Sequence, residues 1–456
     1  MEIPEILRRI DEWWAVGNVP KELVPPTKRR LFDELKMSWD DRRILCVTGP
    51  RRTGKSTLMY QLMDMLIREK NVAPKDILFF SGDDLDLRNS TLGDILRAYF
   101  EEVLKRDQRD SKCYIFIDEV HKLSDWQLWL KKYYDLKYNI KFVISGSSAS
   151  KIQSSQKESL AGRIIEYRLY PLDFSEFLSF SGYPVAAKIP PQELTYEGLC
   201  EIISGYGQKE TLRTRSLLDQ YMLVGGFPEW FETNNVRLWQ KKLADDVIKR
   251  VVYDDIAGQY DIRNPLKIEA LLRYLASMSS QLYSYNSIAN ALKMDNEAAE
   301  LYIKYLKESF IIFELKNYGS YERQLKKNNK YVLMDIGIKN ALERTNAIND
   351  NEVGNIMESI IQQHVSWLAD RVDANVHYWR EKEEVDIILA LSNGIVPIEV
   401  KYRKTVDIGG LSGIVSFMSR YKLKKGLVIT KDTLKSERTN DMELLLIPAW
   451  LFLSVI

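Results

Sequence analysis

The stretch Gly49-Pro50-Arg51-Arg52-Thr53-Gly54-Lys55-Ser56, followed by Thr57, constrains this chain more than any other. It has the spacing G-x-x-x-x-G-K-[ST]. It lies between a short apolar run, Ile44–Thr48, and an amphipathic stretch that puts Leu58, Leu62, Met65 and Leu66 on one face. A strand, a glycine loop and a helix in that order turn backbone N–H groups and a helix N-terminus toward an anion. Flexible glycines alone could merely close a βα unit. Lys-Ser at this offset after a strand points instead to a nucleotide's phosphates, with Lys55 reaching the β- and γ-phosphates and the Ser56 hydroxyl on Mg²⁺.

Four more apolar runs, Ile77–Ser81, Tyr114–Ile117, Lys141–Ser145 and Ile164–Leu169, alternate with amphipathic segments, which predicts a doubly wound α/β domain. The third strand overall, Tyr114–Ile117, delivers Asp118 and Glu119 at its C-terminal end, where such sheets bind ligands. Asp118 is expected in the Mg²⁺ shell and Glu119 to orient the attacking water. Either acid alone could be a helix cap; the pair downstream of the glycine loop is better read as catalytic. One strand separates the two motifs, as in the AAA+ and related ATPases and unlike the GTPases. Ser145 or Ser147, in the turn that continues to Ser148, could sense the γ-phosphate, or the turn could simply be rich in serine. Arg163, just before the fifth strand, has the position of an arginine finger acting on a neighbouring copy, with an ordinary surface arginine as the alternative.

The 456 residues suggest several domains. With 45% hydrophobic and 28% charged residues the composition is that of a globular protein, and a formal net charge of +1 gives no global attraction to nucleic acid. Cys46, Cys113 and Cys200 form neither a zinc pattern nor a disulfide framework, and the three histidines are scattered. A cytoplasmic protein without a signal peptide is expected. The apolar C-terminal run reads as a buried strand or helix rather than a membrane span. Residues 1–40 read as helical, with Trp13 and Trp14 as docking anchors. The expected domains are 1–180, with the N-terminal helices and the ATPase sheet; 181–262, a helical lid or linker; 263–345, a winged-helix-like domain; and 350–456, a nuclease-like domain. The candidate recognition helix begins Asp295-Asn296-Glu297, which suits a helix N-terminus and opposes entry into a DNA groove. Arg323, Lys326, Lys327 and Lys330 follow it as a basic hairpin that could touch phosphate.

In the last domain, Glu384-Val385-Asp386 and Glu399-Val400-Lys401 lie on successive predicted strands. Alternation puts Glu399 and Lys401 on one face, and Asp386 joins them if the strands form a hairpin. Two carboxylates with Mg²⁺ and a lysine can hydrolyse a phosphodiester, and Glu358 on the preceding helix could add a third acid. A solvated amphipathic hairpin is the bland alternative.

Taken together, GPRRTGKST, IFIDEVHKL, ISGSSAS, LAGR with LYPLDFSEF, VGGFPEW, YVLMDIGIKNAL, EVDIIL and PIEVKYR resemble a prokaryotic, mainly archaeal family of AAA+-type P-loop ATPases. Its C-terminal domain looks like a PD-(D/E)XK nuclease. The resemblance covers nearly the whole chain. It implies an α/β fold: an AAA+-like parallel sheet with a helical lid, a winged-helix domain and a C-terminal restriction-endonuclease-like α/β domain. ATP and Mg²⁺ at Lys55, Ser56, Asp118 and Glu119 are the implied cofactors, and Glu358, Asp386, Glu399 and Lys401 occupy the matching nuclease positions. DNA and a second copy of the chain are candidate partners, and a membrane is not. Three functional readings follow. One is an ATPase controlling a DNA-cutting domain. Another is an ATP-driven switch whose nuclease fold is inactive and binds protein or DNA. The third is a ring-forming motor acting on protein.

Overall fold

A computed structural model describes residues 2–87, 89–109, 111–147, 160–260, 262, 264–277, 280–439 and 441–456, the side chains of Gln259, Arg323, Leu325, Lys326 and Ile408 excepted. The chain divides into two compact units, Met1–Tyr170 and Pro171–Ile456. Ser148 and residues 149–159 lie outside the described residues.

The first unit is a five-stranded parallel sheet of β1 (Ile44–Thr48), β2 (Ile77–Ser81), β3 (Cys113–Asp118), β4 (Ile140–Gly146) and β5 (Ile164–Arg168), in the order β2-β3-β4-β1-β5. Every residue of β1 and β3 is buried, because helices cover both faces of the sheet. Apolar side chains from the two faces form separate cores, one around Phe80, Ile115 and Ile144 and the other around Leu45, Leu62 and Phe116.

β2 ends the sheet on one side, and an end strand leaves backbone groups unpaired. The N-terminal segment covers them. Asp11 Oδ1 accepts the Phe79 N–H at 3.1 Å, while the indole N–H groups of Trp13 and Trp14 donate to the Ile77 carbonyl at 3.3 and 2.7 Å. Trp14 also stacks on Tyr99 with ring centroids 5.8 Å apart. Both tryptophans thus dock as the sequence suggested, with Trp13 buried.

The second unit holds a nine-stranded mixed sheet. Its strands are β6 (Leu282–Tyr283), β7 (Ile312–Asn317), β8 (Asn329–Leu333), β9 (Asn375–Arg380), β10 (Glu384–Leu391), β11 (Gly394–Lys401), β12 (Lys425–Thr430), β13 (Lys435–Thr439) and β14 (Met442–Pro448). They lie in the order β13-β14-β12-β11-β10-β9-β7-β8-β6. The 312–333 hairpin and the C-terminal strands share this sheet through a parallel junction, Lys316 opposite His377 and Asn317 opposite Tyr378. β10 pairs antiparallel with β11, the hairpin that the candidate motif requires. The apolar C-terminus supplies both a buried strand, β14, and a buried helix, Ala449–Val455. Among the described residues no helix is long and apolar enough to cross a membrane.

The Gly225-Gly226 turn shows why glycine is needed. Gly225 has φ +75°, and a Cβ there would lie 2.0 Å from Asp335 Oδ1; one on Gly226 would lie 2.2 Å from the Leu172 carbonyl oxygen. The buried Asp335 carboxylate accepts the N–H of Gly226 at 2.8 Å and of Gly337 at 2.7 Å. Burial pushes this carboxyl up to about 7, against the pull of those two donors. A carboxyl whose folded value is raised contributes its full stability below the unfolded value near 4, and that contribution is lost as pH rises through the folded value. Asp335→Asn is therefore expected to flatten the fall in stability between about pH 4 and 7, read by urea unfolding at each pH. An unchanged slope would show that Asp335 does not cause it.

Candidate nucleotide site and C-terminal carboxylate cluster

The loop 49–54 leaves β1 through Gly49 at φ +145°, where a Cβ would meet the Leu169 carbonyl oxygen at 2.2 Å. It passes Arg52 at φ +62° and enters the helix Lys55–Arg68 through Gly54 at φ +93°. These backbone angles and the close approach to Leu169 explain the glycines at the two ends. Lys55 is buried, and its ammonium donates to the carbonyls of Gly49 at 3.0 Å and Pro50 at 2.8 Å. The Thr53 hydroxyl donates to Pro50 O at 3.0 Å. A residue outside the motif also holds the loop. Buried Arg29 donates to Thr53 O at 2.7 Å and to Tyr170 O at 2.8 Å, tying the loop to the end of the sheet. Only an arginine in a polar N-terminal segment marks this role in sequence.

Asp118 closes the opposite side. One of its carboxylate oxygens accepts the Ser56 hydroxyl and the other the Ser145 hydroxyl. Burial raises its pKa and the neighbouring Glu119 charge adds to the rise; the hydroxyls of Ser145 and Ser56 and the Lys55 charge oppose it. Glu119 follows in a left-handed backbone conformation, φ +46°. Its Oε2 accepts the Ser147 N–H at 3.2 Å and the Ser147 hydroxyl at 3.1 Å. The two serines offered by the sequence thus divide the acids between them, Ser145 on Asp118 and Ser147 on Glu119. The Ser56 hydroxyl and Asp118 carboxylate are hard oxygen donors, the set that suits Mg²⁺. Thr57 lies in the first turn of the loop's helix. Arg163 precedes β5, and its guanidinium pairs with Asp135 at 2.7 and 3.1 Å.

In the second unit, a register shift between β9 and β10 falls between Val385 and Ile388, so Asp386 stands on a bulge. Its Oδ2 accepts the Val400 N–H at 2.8 Å, which brings it beside Glu399. Lys401 Nζ lies 2.5 Å from Glu399 Oε1. Glu358, the third predicted acid, lies on the helix Val353–Arg371, but among the described residues no three such acids are arranged to hold a metal ion, and Glu358 carries a partner the sequence did not supply. Lys330 Nζ lies 3.2 Å from Glu358 Oε1 and 2.5 Å from Glu384 Oε1. Lys330 is 2% exposed, which corrects its expected place on a phosphate-touching basic hairpin. β8 is almost wholly buried, so its lysine faces the interior and needs carboxylates there. Of the other basic residues in that hairpin, Lys327 is exposed, and the side chains of Arg323 and Lys326 are outside the described set. Loss of water raises the Glu358 carboxyl to about 7 and the Glu399 carboxyl to about 8, with the Asp386 charge as the next cause for both. A lysine within an apolar strand, Asn329-Lys330-Tyr331-Val332-Leu333, was the available signal for Lys330.

Residues 41–178 match a family model described as an AAA domain. Residues 215–349 and 353–451 match two families described as domains of unknown function, DUF8612 and DUF4143. An uncharacterised protein of Methanocaldococcus jannaschii, MJ1637, is 26% identical over 404 residues, 87% of this chain and 82% of its own. An uncharacterised protein of Haemophilus influenzae is 21% identical over 433 residues, covering 93% of this chain and 98% of its own. The solved structure of the Aeropyrum pernix ORC1 protein in complex with DNA aligns at a TM-score of 0.30 and 13% identity, over 70% of this chain and 91% of that one, a likeness too loose to carry a conclusion. The chain thus has an AAA domain, and the whole Gly49–Glu119 cluster lies inside it.

Because Gly49 combines a left-handed φ with a blocked Cβ, Gly49→Ala is expected to cost about 1–3 kcal/mol. It should also remove the rise in melting temperature caused by an ATP analogue with Mg²⁺. Gly54→Ala, with nothing within 4 Å of its Cβ, faces only the backbone penalty. Thermal denaturation with and without nucleotide compares them, and equal losses would contradict the role given to Leu169.

Proposed function

We propose that the AAA domain hydrolyses ATP with Mg²⁺ and that its nucleotide cycle controls a DNA-acting C-terminal unit. The observation that carries the first part is the joining of Ser56, Asp118 and Ser145 by hydroxyl–carboxylate hydrogen bonds at the mouth of the glycine loop, with Glu119 held alongside by Ser147. In this reading residues 49–57 cradle the triphosphate, and the Lys55 ammonium exchanges loop carbonyls for phosphate oxygens. Ser56 and Asp118 hold Mg²⁺, which neutralises charge on the β- and γ-phosphates when bound. Glu119 orients the water. Ser147, already hydrogen-bonded to Glu119, senses whether a γ-phosphate is present. Arg163 serves as a finger toward a second copy once it leaves Asp135; the exposure of that ion pair in water makes the exchange inexpensive.

For the C-terminal unit, support for phosphodiester chemistry is the convergence of Asp386, Glu399 and Lys401 on the β10–β11 hairpin. An ATP-driven switch with an inactive, DNA- or protein-binding C-terminal fold is the second reading. The ion pairs that engage Glu358 and Glu399 favour it.

Glu119→Gln is expected to retain ATP binding while turnover falls by about 10²-fold or more, and Lys55→Ala to lose binding. Hydrolysis at the wild-type rate in Glu119→Gln would reject the assignment. The C-terminal readings separate on single-stranded, duplex and branched DNA incubated with Mg²⁺ or Mn²⁺, with and without ATP. Cutting that disappears in Asp386→Ala supports the nuclease, and no cutting under any condition supports the switch.

A further inference from the structure

The carboxylate cluster of the second unit has two unlike halves. In one, Lys330 Nζ bridges Glu358 and Glu384, and Glu358 Oε1 also accepts Gln362 Nε2 at 2.9 Å. An ammonium 2% exposed is tolerable only with its charge balanced at short range, and here two acids from different elements balance it. In the other half stand Asp386 and Glu399. Glu399 Oε1 meets Lys401, but Glu399 Oε2 is buried and has no hydrogen-bond partner among the described residues. A buried carboxylate oxygen without a donor is costly, and a bound cation would remove that cost. Among the described residues no group of three or more acids, histidines or cysteines is arranged to hold a metal ion, in keeping with the engagement of Glu358 elsewhere.

We propose that this cluster is a one-cation site: a divalent ion binds through Asp386 and Glu399, and Lys330 is a built-in second cation that withdraws Glu358 from the metal. Sites with two metal ions balance their outer carboxylates with a dissociable ion. Here the chain supplies that charge covalently, so it stays in place at any metal concentration. Lys330 lies in the 215–349 segment and the carboxylates in the 353–451 segment, so the site is assembled from both. Lys330 is a positioning residue, acting through Glu358 and Glu384 and by its charge on Asp386. The inference rests on the metal-binding reading of the C-terminal unit and goes beyond it in fixing the number of ions and the role of each acid.

The test is Mn²⁺ binding to the full chain without nucleotide, followed by the electron paramagnetic resonance of free Mn²⁺. An Asp118→Asn background excludes ions at the nucleotide site. The background chain is expected to bind one ion that Asp386→Asn abolishes. Glu358→Gln should change its affinity by less than about threefold, because that acid is not a ligand. Lys330→Met should strengthen binding at least about tenfold or admit a second ion, because it frees two carboxylates. Loss of the ion in Glu358→Gln, unchanged binding in Lys330→Met, or equal binding with and without Asp386 would each overturn the proposal. If Lys330→Met does not fold, the triple variant Lys330→Met/Glu358→Gln/Glu384→Gln should recover a folded chain, and failure to recover would also overturn it. A chain that shows this binding pattern but cuts no DNA would reject the nuclease reading and leave the one-cation site standing.

Discussion

A carboxylate that loses water must find donors or a cation, and Asp118 is where that requirement shapes the first unit. Its two oxygens take hydroxyls from Ser56 and Ser145, so three separate elements meet on one side chain: the loop's helix, β3 and β4. Parallel strands place their C-terminal ends side by side, and there a residue at the end of β3 reaches both the helix that follows β1 and the end of β4. The raised pKa of Asp118 is the price of that burial, offset in part by the hydroxyls and by Lys55. A cation placed there would offset the rest.

The second unit meets the same requirement by other means. Asp335 uses backbone N–H groups, Asp386 uses the Val400 N–H, Glu358 and Glu384 use an internal lysine, and Glu399 is left half served. These solutions differ in permanence. Backbone donors and the Lys330 ammonium belong to the fold, whereas one oxygen of Glu399 has no donor among the described residues. Charge satisfied by the chain stabilises structure, and charge left over is available for chemistry.

The first unit was largely legible in sequence because its signals are local. Ile44–Thr48 and Ile77–Ser81 coincide with the observed strands, since strands buried along most of their length read as apolar runs bounded by polar turns. The glycine loop and Asp118-Glu119 were legible because backbone geometry and strand-end position fix their residue types. The β10–β11 hairpin was visible from alternation, yet the half-exposed strand Lys435–Thr439 was not, because all five of its residues are polar. Arg29 and Lys330 were missed in their roles for a common reason: each acts across a long sequence separation, Arg29 on Tyr170 and Lys330 on Glu384. A single basic residue looks solvated until the fold shows what surrounds it. The division of Ser145 and Ser147 between two acids likewise depended on side-chain direction.

The N-terminal segment precedes the AAA-matched region, yet it closes the open side of β2 through Asp11, Trp13 and Trp14 and clamps the glycine-loop backbone through Arg29. A homology boundary drawn at residue 41 would therefore cut through a working part. The shortened chain would present a bare strand able to recruit strands from other molecules, and its loop would lose a splint. The forty residues before the matched segment are part of the first unit's structure rather than an appendage to it.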